Sequence, residues 1–220
     1  MLETLLSPQN LTTETWVWAT WEEFLAACDR LDYPAEEKAR CYYDTGWMRI
    51  ELMGIGSAHG QNNSILAAVV MLYGTLRNIP QIGFTNGSFR KVGEREWQPD
   101  LAYYLGEGIQ RPPKNNQPVD IDIYSAPTLA IEISSTTLND DLGQKRLLYE
   151  RLGVREYWVV DGQNAIVIAF AVAEGGSRQI QISQVLSGLA INTIEEVLRQ
   201  SQTADDTEIN RWLIQQFQSS

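Results

Sequence analysis

The stretch Thr128-Leu129-Ala130-Ile131-Glu132-Ile133-Ser134 decides the reading of this chain. It is an almost unbroken apolar run that a single carboxylate interrupts. A strand covered on both faces has this composition in an α/β protein, where helices pack on either side of a sheet. An ionised carboxylate inside such a strand is costly unless a cation, a hydrogen-bond network or a metal compensates it. Glu132 is therefore either a strand-end acid that reaches solvent or pairs with an arginine, or a metal ligand.

Working outward, a helix is expected from about Asn139 to Leu152, stopped by Gly153 as a left-handed cap with apolar Val154 behind it. Glu156–Val160 and Ala165–Val172 read as strands around Asp161-Gly162, and Gln179–Val185 as a shorter one. Upstream, Ile65, Leu66, Val69, Leu72, Tyr73 and Leu76 recur at helical spacing between His59 and Arg77. Extended segments are expected near Ile82–Val92 and Trp97–Leu105, and a surface loop from Gly106 to Pro118. Arg40–Tyr43 and Trp47–Leu52 read as a hairpin across Asp44-Thr45-Gly46, and Thr20 with Glu23 as the capping box of a short helix. Ile194–Gln200 and Glu208–Phe217 close the chain as helices, and the first dozen residues are polar and expected to be loose. The sum is one α/β domain over residues 1–220, a central mixed β-sheet flanked by helices, with its core at about 20–200 and a C-terminal helix at 205–220.

Composition removes several function classes. The charge is 17 − 28 = −11, and it divides as 8 − 14 = −6 for residues 1–110 and 9 − 14 = −5 for 111–220. Neither half is a basic arm, which excludes a protein that coats nucleic acid by charge alone. Cys28 and Cys41 are too few for a disulfide framework and have no zinc spacing. The start has no cationic, apolar leader and the longest apolar run, Ile65–Tyr73, is too short for a membrane span, so a reducing cytoplasm is the expected address. Neither a P-loop nor a GxGxxG after a strand is present to bind a nucleotide cofactor.

The acids carry the chemistry. Asp100 follows Pro99 at the entry to Leu101-Ala102-Tyr103-Tyr104, a second strand of the apolar type. If that strand neighbours the one bearing Glu132, the two carboxylates converge at one rim and call for a divalent cation, Mg²⁺ or Mn²⁺ by oxygen preference. Asp141, Lys145 and Tyr149 are spaced i, i+4, i+8 on the following helix and share one face. They are either a solvated Asp–Lys pair with a core tyrosine or the amine of the same site. A lysine beside two carboxylates and a metal can position water and offset charge growing on a phosphate.

Four ordered blocks carry a family resemblance: Trp97-Gln98-Pro99-Asp100; Ala130-Ile131-Glu132-Ile133-Ser134-Ser135-Thr136-Thr137; Asp141-Leu142-Gly143-Gln144-Lys145-Arg146-Leu147-Leu148-Tyr149; and Gly153-Val154-Arg155-Glu156-Tyr157-Trp158-Val159-Val160-Asp161. Together with Tyr42-Tyr43-Asp44, Arg49-Ile50-Glu51-Leu52-Met53 and His59 upstream, they resemble the Uma-two family of the restriction-endonuclease-like PD-(D/E)XK superfamily over about residues 40 to 190. The resemblance implies a restriction-endonuclease-like sheet and metal-dependent hydrolysis of DNA phosphodiesters. Pro99-Asp100 would be the PD element and Glu132 the second acid, with the carbonyl of Ile133 completing the metal set. The superfamily's in-strand lysine position holds Ser134, and the lysine supplied from the next helix matches Lys145.

Secondary candidates are His59 at a helix start, Glu51 at a strand end, and Ser134, Asp141 and Tyr149 around the acids. Ser134, Ser135 and the two threonines after them are expected to cap the approaching helix or bond within the turn. Arg90, Lys91 and Arg95 are either a phosphate contact or a solvated hairpin. Restriction-type folds often pair, so a homodimer joins DNA among the expected partners, with Trp212, Ile214 and Phe217 as a candidate face. Two function classes stand: a Mg²⁺-dependent endonuclease, and a catalytically inactive binding or assembly module of the same fold. The acids and Lys145 favour the first; the −11 charge and Ser134 favour the second.

Overall fold

A computed structural model describes residues 13, 15–31, 39–52, 56–134 and 137–219. The N-terminal dozen, Met53, Ser135 and Thr136 lie outside the described residues. In chain order the elements are β1 (Val17–Trp18), α1 (Trp21–Leu31), β2 (Ala39–Asp44), β3 (Trp47–Leu52), α2 (Ser57–Leu76), β4 (Gln81–Thr85), β5 (Phe89–Lys91), β6 (Arg95–Trp97) and β7 (Leu101–Leu105). There follow β8 (Val119–Asp120), α3 (Ile121–Tyr124), β9 (Leu129–Ser134), α4 (Leu138–Leu142), α5 (Gln144–Leu152), β10 (Glu156–Asp161), β11 (Ile166–Ala173), β12 (Gly176–Ile180), α6 (Ile191–Gln200) and α7 (Asp206–Ser219). The chain is mixed α/β, as its sequence pattern implies. Its contacts gather into two compact units, one from Met1–Gly54, Gly87–Gln98 and Pro112–Ser125, the other from Ile55–Asn86, Pro99–Arg111 and Ala126–Ser220.

Each unit has its own six-stranded mixed sheet, where the sequence pattern suggested one. Apolar periodicity announces strands but not their partners, and β5, β6 and β8 are two or three residues long, too short to show a period. The first sheet runs β1-β3-β2-β6-β5-β8, with β5 and β8 parallel and the other pairs antiparallel. The capping box of α1 is present: Thr20 N–H donates to Glu23 Oε2 at 2.8 Å and Glu23 N–H to Thr20 Oγ1 at 3.2 Å. The helix lays Phe24 and Ala27 on Tyr43, Met48 and Ile50. The basic stretch is locally compensated, with Arg90 on Glu96 at 2.5 Å, Lys91 on Glu94 at 2.9 Å and Arg95 on Asp44 at 3.0 Å.

The second sheet runs β12-β11-β10-β9-β7-β4, with β9 and β10 parallel and the rest antiparallel. Because side chains alternate along a strand, β9 divides into two sets. Leu129, Ile131 and Ile133 join Ile65, Leu66, Val69 and Val70 of α2 in the large apolar core, which also takes in α6 and α7. Ala130, Glu132 and Ser134 point to the opposite face, where Tyr149 of α5 reaches Glu132.

Two boundaries and one helix face differ from the sequence expectation. The helix expected over 139–152 is two pieces, α4 and α5, meeting at Gly143, whose φ of −104° and ψ of −105° are non-helical. A Cβ there would lie 2.8 Å from the carbonyl oxygen of Asn139, so the bend needs a glycine. Gly153 does end α5 in the left-handed conformation, at φ 80°. The last strand is Gly176–Ile180 rather than 179–185, because Ser183 to Leu186 turn under the buried Glu156 carboxylate, which accepts from the N–H groups of Gln184 and Val185. The α7 stripe offered as a dimer face turns inward. Phe217 is 3% exposed and meets Tyr73 edge-on at 4.9 Å, and Trp212 packs on the same core.

Burial pushes the Tyr103 phenol up from its ordinary 10 to about 12. The unfolded chain therefore surrenders this proton first, and the native state is penalised as pH rises from 10 through about 12. Chemical denaturation across this window should show falling stability, with a shallower fall in Tyr103→Phe.

Candidate functional site

The register of β7 on β9 pairs Leu101 with Ile131, Ala102 with Ala130 and Tyr103 with Leu129. Asp100 directly precedes β7 and Glu132 directly follows Ile131, so both acids stand at the end of this pairing. Pro99 has no N–H to extend the ladder, so this position is the rim of the pair. The two carboxylates are 1% and 2% exposed.

Each acid has a specific hydrogen-bond partner. Asp100 Oδ2 accepts from the backbone N–H of Ile133 at 2.7 Å, and its Oδ1 lies 2.9 Å from Nε2 of His59 in the first turn of α2. Glu132 Oε1 accepts from the Tyr149 hydroxyl at 2.6 Å, and the Tyr149 ring stacks on Tyr157 with centroids 4.4 Å apart. Tyr149 thereby fixes which face of α5 covers the strand, and Lys145 stands one turn earlier on that face. Lys145 Nζ is 3.0 Å from Asp141 Oδ1, and both side chains are 1% exposed. The solvated-pair reading of these two residues is thus excluded.

Two residues that sequence reasoning passed over hold Asp141. Thr137 Oγ1 donates to Asp141 Oδ2 at 2.7 Å, and the Tyr157 hydroxyl donates to the Asp141 carbonyl at 3.0 Å. Thr137 occupies the N-cap position of α4 but makes no side-chain cap bond, so of the two expectations, capping or bonding within the turn, the first does not hold for it. The i, i+4 spacing of Thr137 and Asp141 was the available signal. Nothing local pointed to Tyr157, which arrives from another strand.

The remaining candidates separate. Ser134 Oγ and His59 Nδ1 are buried and have no hydrogen-bond partner among the described residues. Ile133 turns its side chain into the apolar core, so only its backbone serves the rim. Glu51 belongs to the other unit, where its carboxylate accepts from Arg49 Nε at 3.1 Å. Among the described residues no three His, Cys, Asp or Glu side chains group as a metal site. Asp100, Glu132, Asp141 and Lys145 are nonetheless four ionisable groups taken out of water, at a cost of several kcal/mol per ion before compensation. Such concentrations of buried charge gather at functional sites more often than in plain cores.

A mixed sheet with buried acids at neighbouring strands and a buried lysine on the next helix is the arrangement that the restriction-endonuclease-like resemblance implies. The chain is similar to a solved structure described as "a putative nuclease belonging to DUF820 from Anabaena variabilis ATCC 29413", with a TM-score of 0.55 and 17% identity over 82% of this chain and 99% of that one. At that identity the likeness concerns the fold. A family model described as "Uma2: Putative restriction endonuclease" matches residues 21–216, and the chain belongs to this Uma2 family. The comparison with curated proteins gives no match. No helix among the described residues is long and apolar enough to cross a membrane.

Removing the phenol that bonds Glu132 leaves a buried carboxylate short of a donor. Tyr149→Phe should cost about 1.5–3 kcal/mol, the range for a hydrogen bond to a charged group. Urea denaturation at neutral pH measures it, and an unchanged midpoint would contradict the assignment.

Proposed function

We propose that the chain is a metal-dependent endonuclease that hydrolyses DNA phosphodiester bonds, with Asp100, Glu132 and Lys145 as its catalytic residues. The observation that carries this reading is the burial of Asp100, at the entry to β7, and of Glu132, on the paired strand β9, beneath the helix face that bears Lys145. Two buried carboxylates so placed are a hard-oxygen donor set suited to Mg²⁺ or Mn²⁺. Asp100, Glu132 and the Ile133 carbonyl would hold the ion. A partial protein set fits Mg²⁺, which usually retains several waters and binds through one or two carboxylates and substrate phosphate. When bound, such an ion lowers the pKa of water towards neutrality and draws charge from a phosphoryl oxygen.

The other side chains act on those acids and on the substrate. His59 and the Ile133 N–H fix the Asp100 carboxylate in the sheet plane. Tyr149 fixes Glu132. Asp141, itself held by Thr137, keeps the Lys145 amine in place, where it can orient the attacking water or meet charge developing on the phosphate. DNA is supported as the substrate by the family description alone, since the −11 charge gives no general attraction to a polyanion. Ser134 at the in-strand lysine position supports a second reading, a binding or assembly module of the same fold that has lost turnover.

Supercoiled plasmid incubated with Mg²⁺ or Mn²⁺ separates the two. The parent should nick or cut it, and Asp100→Ala, Glu132→Ala and Lys145→Met should each fall by at least about 100-fold, the lower end for loss of a positioned acid–base group. Parent activity that all three variants retain would place the chemistry elsewhere. Titration calorimetry with Mn²⁺ checks the ligands: the Asp100/Glu132 double alanine variant should lose the binding the parent shows. Metal binding without turnover would favour the module.

A further inference from the structure

Tyr157 touches both pieces of the broken helix that carries the lysine. Its strand β10 pairs in parallel with β9, Tyr157 beside Ala130 and Val159 beside Glu132, so the phenol stands on the sheet face that meets α4 and α5. The side chain is fully buried. Its hydroxyl donates to the Asp141 carbonyl at 3.0 Å, and its ring stacks on Tyr149 with centroids 4.4 Å and planes 23° apart. The last carbonyls of a helix have no donor within it, and this bond serves one of them in α4. A phenol in a plain core needs only some acceptor. Tyr157 takes the backbone of the very residue whose carboxylate lies 3.0 Å from Lys145 Nζ, and its ring backs the phenol that donates to Glu132 at 2.6 Å.

We propose that Tyr157 is a positioning residue for the reaction, a latch across the Gly143 break that sets Lys145 relative to Glu132. This rests on the endonuclease reading above. At Gly143 the backbone leaves the helical region, so a continuous helical ladder does not fix α4 on α5. The Asp141–Lys145 ion pair crosses the break, but a flexible four-carbon amine follows its partner when that partner moves. The Tyr157 hydroxyl prevents the movement by tying Asp141 to β10.

The ring of Tyr157 has the complementary task. Phe170 is its partner on β11 and stacks on it with centroids 6.5 Å apart. α5 grips this pair at two points on one face: Tyr149 on Tyr157, and the Arg146 guanidinium 5.1 Å from the Phe170 centroid. The hydroxyl therefore governs the lysine, and the ring governs the seat of Tyr149 and through it Glu132.

Tyr157→Phe keeps the ring and removes the hydroxyl. Its kcat for plasmid nicking should fall about 10- to 100-fold, up to the cost of a 1 Å misplacement, with the KM for plasmid and the calorimetric Mn²⁺ affinity unchanged. In the metal-free protein, acetylation of Lys145 by a limiting N-hydroxysuccinimide ester is read by mass spectrometry against exposed Lys114 in the same sample. That ratio should rise about fivefold, as loss of one neutral hydrogen bond gives in an opening equilibrium. Tyr157→Leu, which also removes the ring beneath Tyr149, should weaken Mn²⁺ binding as well, and parental binding by it would overturn the link to Glu132. A tyrosine that only stabilises the core would lower the melting temperature of Tyr157→Phe and leave kcat and the labelling ratio parental. That result overturns the proposal, as does loss of Mn²⁺ binding in Tyr157→Phe. A parent that does not nick overturns the endonuclease reading instead, and the labelling ratio then decides the latch by itself: a rise supports it and a parental ratio ends it.

Discussion

Everything at the candidate site depends on the register of β7 against β9. The alternation of β9 gives Ile131 and Ile133 to the apolar core and Glu132 to the face of α5. A slip of one residue would exchange those faces, driving a carboxylate among Ile65, Leu66 and Val69 and exposing two isoleucines to the polar side. The hydrophobic pattern therefore enforces the β7–β9 pairing at whose end Asp100 stands. The same packing that stabilises the second unit also supplies the geometry of its acids, at no separate cost in fold.

The cluster around that pair is over-determined rather than loose. Asp100 is held from two elements, Glu132 from a third and Asp141 from two more. Low local dielectric strengthens each of these bonds and raises the cost of leaving any one unmade. The break at Gly143 contributes directly: it lets α4 present Asp141 while α5 starts afresh along its own axis with Lys145 and Tyr149. A continuous helix would have tied those three side chains to one straight stripe.

The sequence made the strands, the long helices, the capping box and the left-handed stop at Gly153 legible, because each rests on local chemistry or on one period. It also made Asp100, Glu132 and Lys145 stand out, as charges in apolar surroundings or on a shared helical face. What it could not reveal depends on partners distant in the chain. Glu156 is as buried as Glu132 and interrupts a similar run, yet it is wholly engaged by Trp158 Nε1 at 2.6 Å and the Gln184 and Val185 N–H groups. Nothing in either strand distinguishes the structural acid from the candidate ligand. The division into two sheets escaped notice for the same reason, since β5, β6 and β8 exist only through their pairing. The inward-facing Phe217 shows that an amphipathic stripe does not name what it packs against.

The two units are each assembled from three separated lengths of chain, taken alternately. On a ribosome, the first unit cannot be finished until Pro112–Ser125 has emerged, by which time more than half of the polypeptide is outside the tunnel. The second waits for β10, which pairs with β9, and for β11, which pairs with β10. Neither sheet is a candidate for autonomous early collapse, and most of their pairings bridge long loops whose closure entropy precedes any reward. Trimming a terminus isolates neither unit, because lengths of the other lie between its own. The acids of the rim thus come together late in biogenesis, after the nascent chain has already committed its strands.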